Sequence, residues 1–214
     1  MEHNVLIIGD SYSTFAGFIP DGYATYYSED ALPEMGVCRV TDTWWHQVIS
    51  QLGAKLIRND SWSGSTVSHA GRGGDCSETS SFIARLHKLQ KEGFFEDNRI
   101  DTVFVFGGTN DSWIDTPLGE LKLNNFEKQD LYFVLPAFGY FLKELRNTLP
   151  NAAIYCLVNT DLNPQIAAGM QTACEACGIT PIAFRHIDKQ RGHPTAQGMR
   201  DIRDQVLAVL QADS

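Results

Sequence analysis

A chain of 214 residues, 43% hydrophobic and 20% charged, is long enough to enclose a core without disulfides or a structural metal. Lys and Arg number 17 against 26 Asp and Glu, and the resulting net charge of −9 argues against a nucleic-acid backbone as a partner. No segment approaches the roughly 20 consecutive apolar residues of a membrane span, and Cys38, Cys76, Cys156, Cys174 and Cys177 form no dense disulfide framework.

The N-terminus, MEHNVLIIGD, runs straight into an apolar stretch without a charged-then-apolar leader, which makes the cytoplasm the expected location. A leader removed beforehand would leave the same sequence. Val5–Ile8 reads as a strand buried on both faces, ended by Gly9-Asp10-Ser11. DTWWHQVISQLG then reads as a helix with an Asp or Thr cap and a stop at Gly53, followed by a second strand in AKLIRND. SFIARLHKLQKEG is a helix closed by Gly93, and DTVFVFGG is a third strand. In DLYFVLPAFGYFLKELRNTLP an apolar stripe of Leu131, Leu135, Phe138, Leu142, Leu145 and Leu149 marks a helix. Pro136 within it predicts a kink or a later start. AAIYCLVNT and ITPIAF are the fourth and fifth strands, separated by the helical PQIAAGMQTACEACG. Its C-x-x-C, Cys174 and Cys177, has no second pair and places both thiols on one helical face. A last helix from about Thr195 carries Met199, Ile202, Val206 and Leu210 on one side.

Strands alternating with helices imply a parallel sheet covered on both faces by right-handed crossovers, and no repeat or linker divides residues 1–214 into more than one domain. Two connections are long, FAGFIPDGYATYYSEDALPEMGVCRVTD and DSWIDTPLGELKLNNFEKQD. Each begins after the carboxyl end of a strand, so both are expected to crowd the rim where open α/β sheets bind ligands.

Four segments on that rim carry chemistry. Ser11 ends the first strand, and NDSWSGSTV after the second strand offers backbone N–H groups at the turn around Gly64. FGGTNDSW after the third strand delivers the Asn110 amide, and GHPTAQGM places His193 in a loop before the last helix. Each alone has an ordinary structural explanation: a polar turn, a self-capping Asn, a surface His. Together they are a nucleophile, a base and oxyanion donors for acyl transfer.

The order and wording of these blocks (GDSYS, NDSWSGS, GTND and GHPTAQG) resemble the SGNH hydrolases, the GDSL-type esterases and lipases. The resemblance runs from Gly9 to the final helix. It implies a flavodoxin-like three-layer α/β/α sandwich with a five-stranded parallel sheet in the order 2-1-3-4-5. Residue by residue, it makes Ser11 the nucleophile and His193 the general base. The oxyanion hole would be the Ser11 and Gly64 N–H groups with the Asn110 side chain. It implies no metal and no cofactor, since nucleophile, base and donors are all side chains or backbone.

The chain departs from the family at the acid usually found three residues before the histidine, in D-x-x-H. Here HIDKQRGHP puts Gln190 at that position. Asp188 is the nearest acid and is the preferred partner of His193, with Gln190 or a backbone carbonyl as alternatives; His186 is expected to be structural. The small-residue block around Gly64 and the lack of a long apolar lid argue against a triacylglycerol lipase. Trp44, Trp45, Trp62 and Trp113, with Tyr12, Tyr23, Tyr26 and Tyr27, put aromatic surface near the rim, although at least one of the Trp44–Trp45 pair is expected in the core. Of these, Trp62, Trp113 and Tyr12 are the candidate substrate-binding residues. The expected substrate is a short-acyl ester, O-acetyl above all, on a small molecule or glycan. A non-catalytic sugar-binding module on a degenerate scaffold is the alternative, and a nucleotide-binding flavodoxin-like protein is weaker still, because GDSYSTFAG has neither a Walker lysine nor G-x-G-x-x-G.

Overall fold

The computed structural model describes residues 3–30 and 33–212. Strands β1 (Asn4–Gly9), β2 (Lys55–Ser61), β3 (Thr102–Phe106), β4 (Ala153–Val158) and β5 (Thr180–Ala183) form one parallel sheet in the order β2-β1-β3-β4-β5. This is the expected order.

Alternation along each strand sends side chains to two separate cores. Leu6, Ile8, Val103 and Val105 face helices α2 (Phe82–Lys91), α5 (Val134–Thr148) and α6 (Pro164–Ala176). Val5, Ile7, Phe104 and Phe106 face α1 (Trp44–Leu52) and α7 (Ala196–Ala212). Two short helices, α3 (Phe94–Asp97) and α4 (Thr109–Trp113), complete the set. Trp44 and Trp45 are both in the core, at 0% and 1% exposure, so neither belongs to the rim surface.

The helix ends follow local chemistry. Thr43 caps α1 by accepting the His46 N–H, and Ser81 caps α2 through Ala84. Pro136 lies in the first turn of α5, where a missing N–H costs no helical bond, so the helix begins at Val134. Cys174 is packed in the core and all five cysteines are free thiols. Among the described residues no helix is long and apolar enough to cross a membrane, and no group of three or more His, Cys, Asp or Glu side chains is placed to hold a metal ion.

Register brings the motifs together. Gly9 pairs with Ser61 on one side and Phe106 on the other, and Phe106 pairs with Leu157. The segments that follow these residues therefore emerge side by side on one rim. Part of the first long connection stays there, with Tyr23 against Trp62 and Tyr26 against His193. The second leaves it after Trp113 and lies along α5, with Lys122 against Gly139, Phe126 against Tyr140 and Lys143 bonded to the Leu123 carbonyl. It builds helix cover rather than rim because its apolar residues, Leu118 and Leu121, are drawn to the α5 core.

Candidate active site

Ser11 opens a single turn of 3-10 helix, Ser11–Ser13. Asp10 caps that turn by accepting the Tyr12 N–H at 3.0 Å, and the Thr14 hydroxyl donates to the Ser11 carbonyl at 3.1 Å. The chain can approach β2 here because residue 9 is glycine: a Cβ would lie 2.6 Å from Ser61 Oγ and 2.8 Å from Ser13 Cβ. Asn59 on β2 then donates to the Ser13 carbonyl at 2.8 Å. Burial pushes the Asp10 carboxyl up to about 7, against the pull of the Tyr12 N–H, Thr109 and Arg85.

His193 comes from the far end of the chain. Its Nε2 lies 2.9 Å from Ser11 Oγ, and its Nδ1 lies 3.2 Å from the Arg191 carbonyl oxygen. A carbonyl only accepts, so the proton belongs on Nδ1 and Nε2 is free to accept from the Ser11 hydroxyl. The hairpin that achieves this pairs Lys189–Gln190 with His193–Pro194 across two left-handed residues, Arg191 at φ +53° and Gly192 at φ +78°. Gln190 pairs through its backbone and is exposed, so it does not reach the imidazole.

Asp188 does not orient the histidine. Its carboxylate accepts the Thr195 hydroxyl, its N–H donates to Asp201, and its carbonyl accepts the Thr195 N–H. It braces the start of α7, where Thr195 Oγ1 also accepts from the Gly198 N–H at 3.2 Å. The expectation failed because the hairpin turns after Gln190 rather than before it, leaving Asp188 on the helix side. Asp188→Asn should therefore hold kcat within about threefold of wild type, because the interaction it removes is made equally in ground and transition states. A loss of two decades in a folded variant would put Asp188 back on His193. His186 is exposed, with its Nε2 3.6 Å from Asp201.

The candidate oxyanion donors Ser11, Gly64 and Asn110 follow the ends of three strands, β1, β2 and β3. Trp62 N–H donates to the Gly9 carbonyl at 3.1 Å, which ties the Gly64 turn to the Ser11 turn. Gly64 is exposed with φ +80° and nothing near its Cβ position, so glycine is there for the left-handed backbone. Asn110, nearly buried, spends one amide hydrogen on the Ser65 carbonyl at 2.9 Å and keeps a second. Asp111 locks the same loop by accepting the Val67 N–H, Ser68 N–H and Ser68 hydroxyl.

Arg85, on α2, holds these pieces from beneath. It is 1% exposed and all five of its N–H donors are used: on the carbonyls of Ser80, Asp60 and Gly9, on the Asp60 carboxylate at 3.2 Å and on Ser65 Oγ at 3.2 Å. The sequence signal was an arginine three residues after Phe82 and one before Leu86, inside the apolar face of its helix.

Of the aromatic candidates, Trp113 is 39% exposed beside His193, with ring centroids 5.3 Å apart, and Trp62 is half-buried, its ring tilted against Tyr23 with centroids 4.2 Å apart. Tyr12 is fully buried and its hydroxyl donates to the Gly192 carbonyl, so it is a clamp on the histidine loop and not a substrate contact. Tyr27 does the same one step on, donating to the Pro194 carbonyl at 2.7 Å. Lys189 anchors the hairpin to the end of β4 through Asn159, Thr160 and Asp161.

Burial lowers the His193 pKa to about 4; the Arg191 carbonyl opposes this and the Lys189 charge adds to it. Protonated imidazole cannot take a proton from Ser11, so kcat/KM should fall only as pH drops through about 4 and stay level above it. A stopped assay of ester cleavage between pH 3 and 8 reads this directly. A midpoint at the ordinary histidine value would mean a solvated ring.

The carboxyl rim of a five-stranded α/β/α sandwich thus carries a buried Ser11–His193 contact, a pairing of residue types that hydrolases use. The model of the GDSL-like Lipase/Acylhydrolase family matches residues 3–210, and the chain belongs to that family; it is an ester hydrolase. Similar solved structures include proteins assigned as GDSL-like lipases from Bacteroides uniformis (40% identity, TM-score 0.90, covering 99% of this chain and 96% of that one) and Bacteroides ovatus (34%, 0.91, 99% of each). A family two carbohydrate esterase from Clostridium thermocellum shares the fold at 17% identity, with a TM-score of 0.66 over 99% of this chain and 64% of that one. No curated protein matches the chain.

Proposed function

We propose that this protein is a serine esterase that removes short acyl groups, acetyl above all, from carbohydrate esters through an acyl-enzyme on Ser11. The observation that carries the reading is the 2.9 Å contact of Ser11 Oγ with His193 Nε2, the imidazole being held from behind by a carbonyl. His193 accepts the hydroxyl proton as Ser11 attacks the ester carbonyl. The Ser11 and Gly64 N–H groups and the spare Asn110 hydrogen face the oxyanion. His193 then protonates the departing sugar hydroxyl, and water repeats the sequence on acyl-Ser11.

The exposed face of Trp113 beside His193 and the half-buried ring of Trp62 suit contact with a sugar ring. The small residues around Gly64 suit a small acyl group. The test compares p-nitrophenyl acetate, butyrate and octanoate, then a panel of acetylated mono- and oligosaccharides. Acetate should be cleaved fastest and acetylated sugars should release acetate. Preference for octanoate would overturn the short-acyl reading, and glycan binding without turnover would favour a binding module.

A further inference from the structure

When Ser11 gives up its proton, the imidazole of His193 becomes a cation with no carboxylate on its Nδ1. Something else must make that cation tolerable in a buried site. The ring of Tyr26 lies flat on the imidazole, with centroids 3.6 Å apart and planes within 8°. The face of an aromatic ring is electron-rich and attracts a cation placed over it, most strongly where water is excluded.

The stack is tied to both partners of the reaction. Tyr26 N–H donates to Thr14 Oγ1 at 2.9 Å, and that hydroxyl donates to the Ser11 carbonyl. The next residue, Tyr27, holds the Pro194 carbonyl immediately after the histidine. Burial pushes the Tyr26 hydroxyl above its ordinary value, so the ring remains a neutral phenol. The charged groups around the pair are Lys189 on the hairpin and the Arg191–Glu34 ion pair at 3.3 Å.

We propose that Tyr26 is a positioning residue that takes the place of the absent acid: its ring face holds the imidazole in line with Ser11 and favours the imidazolium formed in the transition state. The inference rests on Ser11 and His193 being nucleophile and base.

Its test is a series at position 26 that changes the face of the ring while keeping apolar cover. Tyr26→Phe keeps the face and should hold kcat on p-nitrophenyl acetate within about twofold. Tyr26→Leu should lower kcat on the order of tenfold with KM little changed, and should move the acid limb of kcat/KM down by about one pH unit. Pentafluorophenylalanine at position 26 keeps the shape of Phe but reverses the charge on the ring face. It should behave like Leu or worse, and it supplies the answer if Tyr26→Leu unfolds. Equal activity and equal acid limbs across the series would overturn the proposal, leaving the ring as filler. A rise in KM alone would also overturn it, making the ring a substrate contact. Ser11→Ala separates the two levels of argument. If that variant stays active, the nucleophile reading fails and this inference with it; if it is dead while Tyr26→Leu matches wild type, only this inference fails.

Discussion

Ser11→Ala should lower kcat on p-nitrophenyl acetate by about 10⁴-fold or more while leaving the fold intact. The substitution removes one hydroxyl, whose contact is His193 Nε2. The turn around it is held by other groups: the Asp10 cap, the Thr14 hydroxyl on the Ser11 carbonyl, and Arg85 on the Gly9 carbonyl. A single neutral hydrogen bond is worth about 1 kcal/mol, so the midpoint of denaturant unfolding should barely move. His193→Ala should cost a similar factor, and the double variant little more, because nucleophile and base act as a unit. Residual activity in Ser11→Ala within a decade of wild type, in a preparation free of wild-type enzyme, would remove Ser11 from the chemistry.

Arg85→Met should destabilise the protein by about 3–5 kcal/mol, the usual loss when one partner of a buried ion pair is removed. The Arg85 side chain is 0% exposed, and its loss would remove a donor each from the Asp60 carboxylate and carbonyl, the Gly9 and Ser80 carbonyls and Ser65 Oγ. Arg58, 2.9 Å from the other Asp60 oxygen, softens the loss but cannot reach the role of a five-donor fork. Adding Asp60→Asn removes the stranded charge, so the double variant should be more stable than the sum of the two single losses. Unfolding in urea at pH 7 reads all three. A cost below about 1 kcal/mol for Arg85→Met would mean that water replaces the guanidinium. Because the lost contacts join the Gly9 carbonyl at the end of β1 to Ser65 Oγ in the turn after β2, the folded variant should also lose kcat before KM.

Much of this protein is local, and the sequence by itself determined it. Val5–Ile8, Thr102–Phe106 and Ala153–Val158 are apolar runs too short for helices and bounded by turn residues, so they could only be buried strands. Thr43, Ser81 and Gly53 ended their helices as caps do. The strand ends at Ser11, Gly64 and Asn110 were legible for the same reason: a motif of adjacent residues carries its own geometry, and a parallel sheet aligns the ends. Tertiary structure decided everything that depended on contacts between distant residues. Ser11 and His193 meet across 182 positions, and two left-handed residues at Arg191 and Gly192 put a main-chain carbonyl, rather than Asp188, behind the imidazole. Whether an aromatic side chain faces substrate or core was equally hidden. Tyr12 was the expected substrate contact and Tyr26 only one of several rim aromatics, yet Tyr12 clamps a loop from inside and Tyr26 lies on the histidine. The reason is that hydrophobic period and turn chemistry act over a few residues, whereas hydrogen-bond partners and ring stacks are chosen only once the sheet has brought remote loops to one rim.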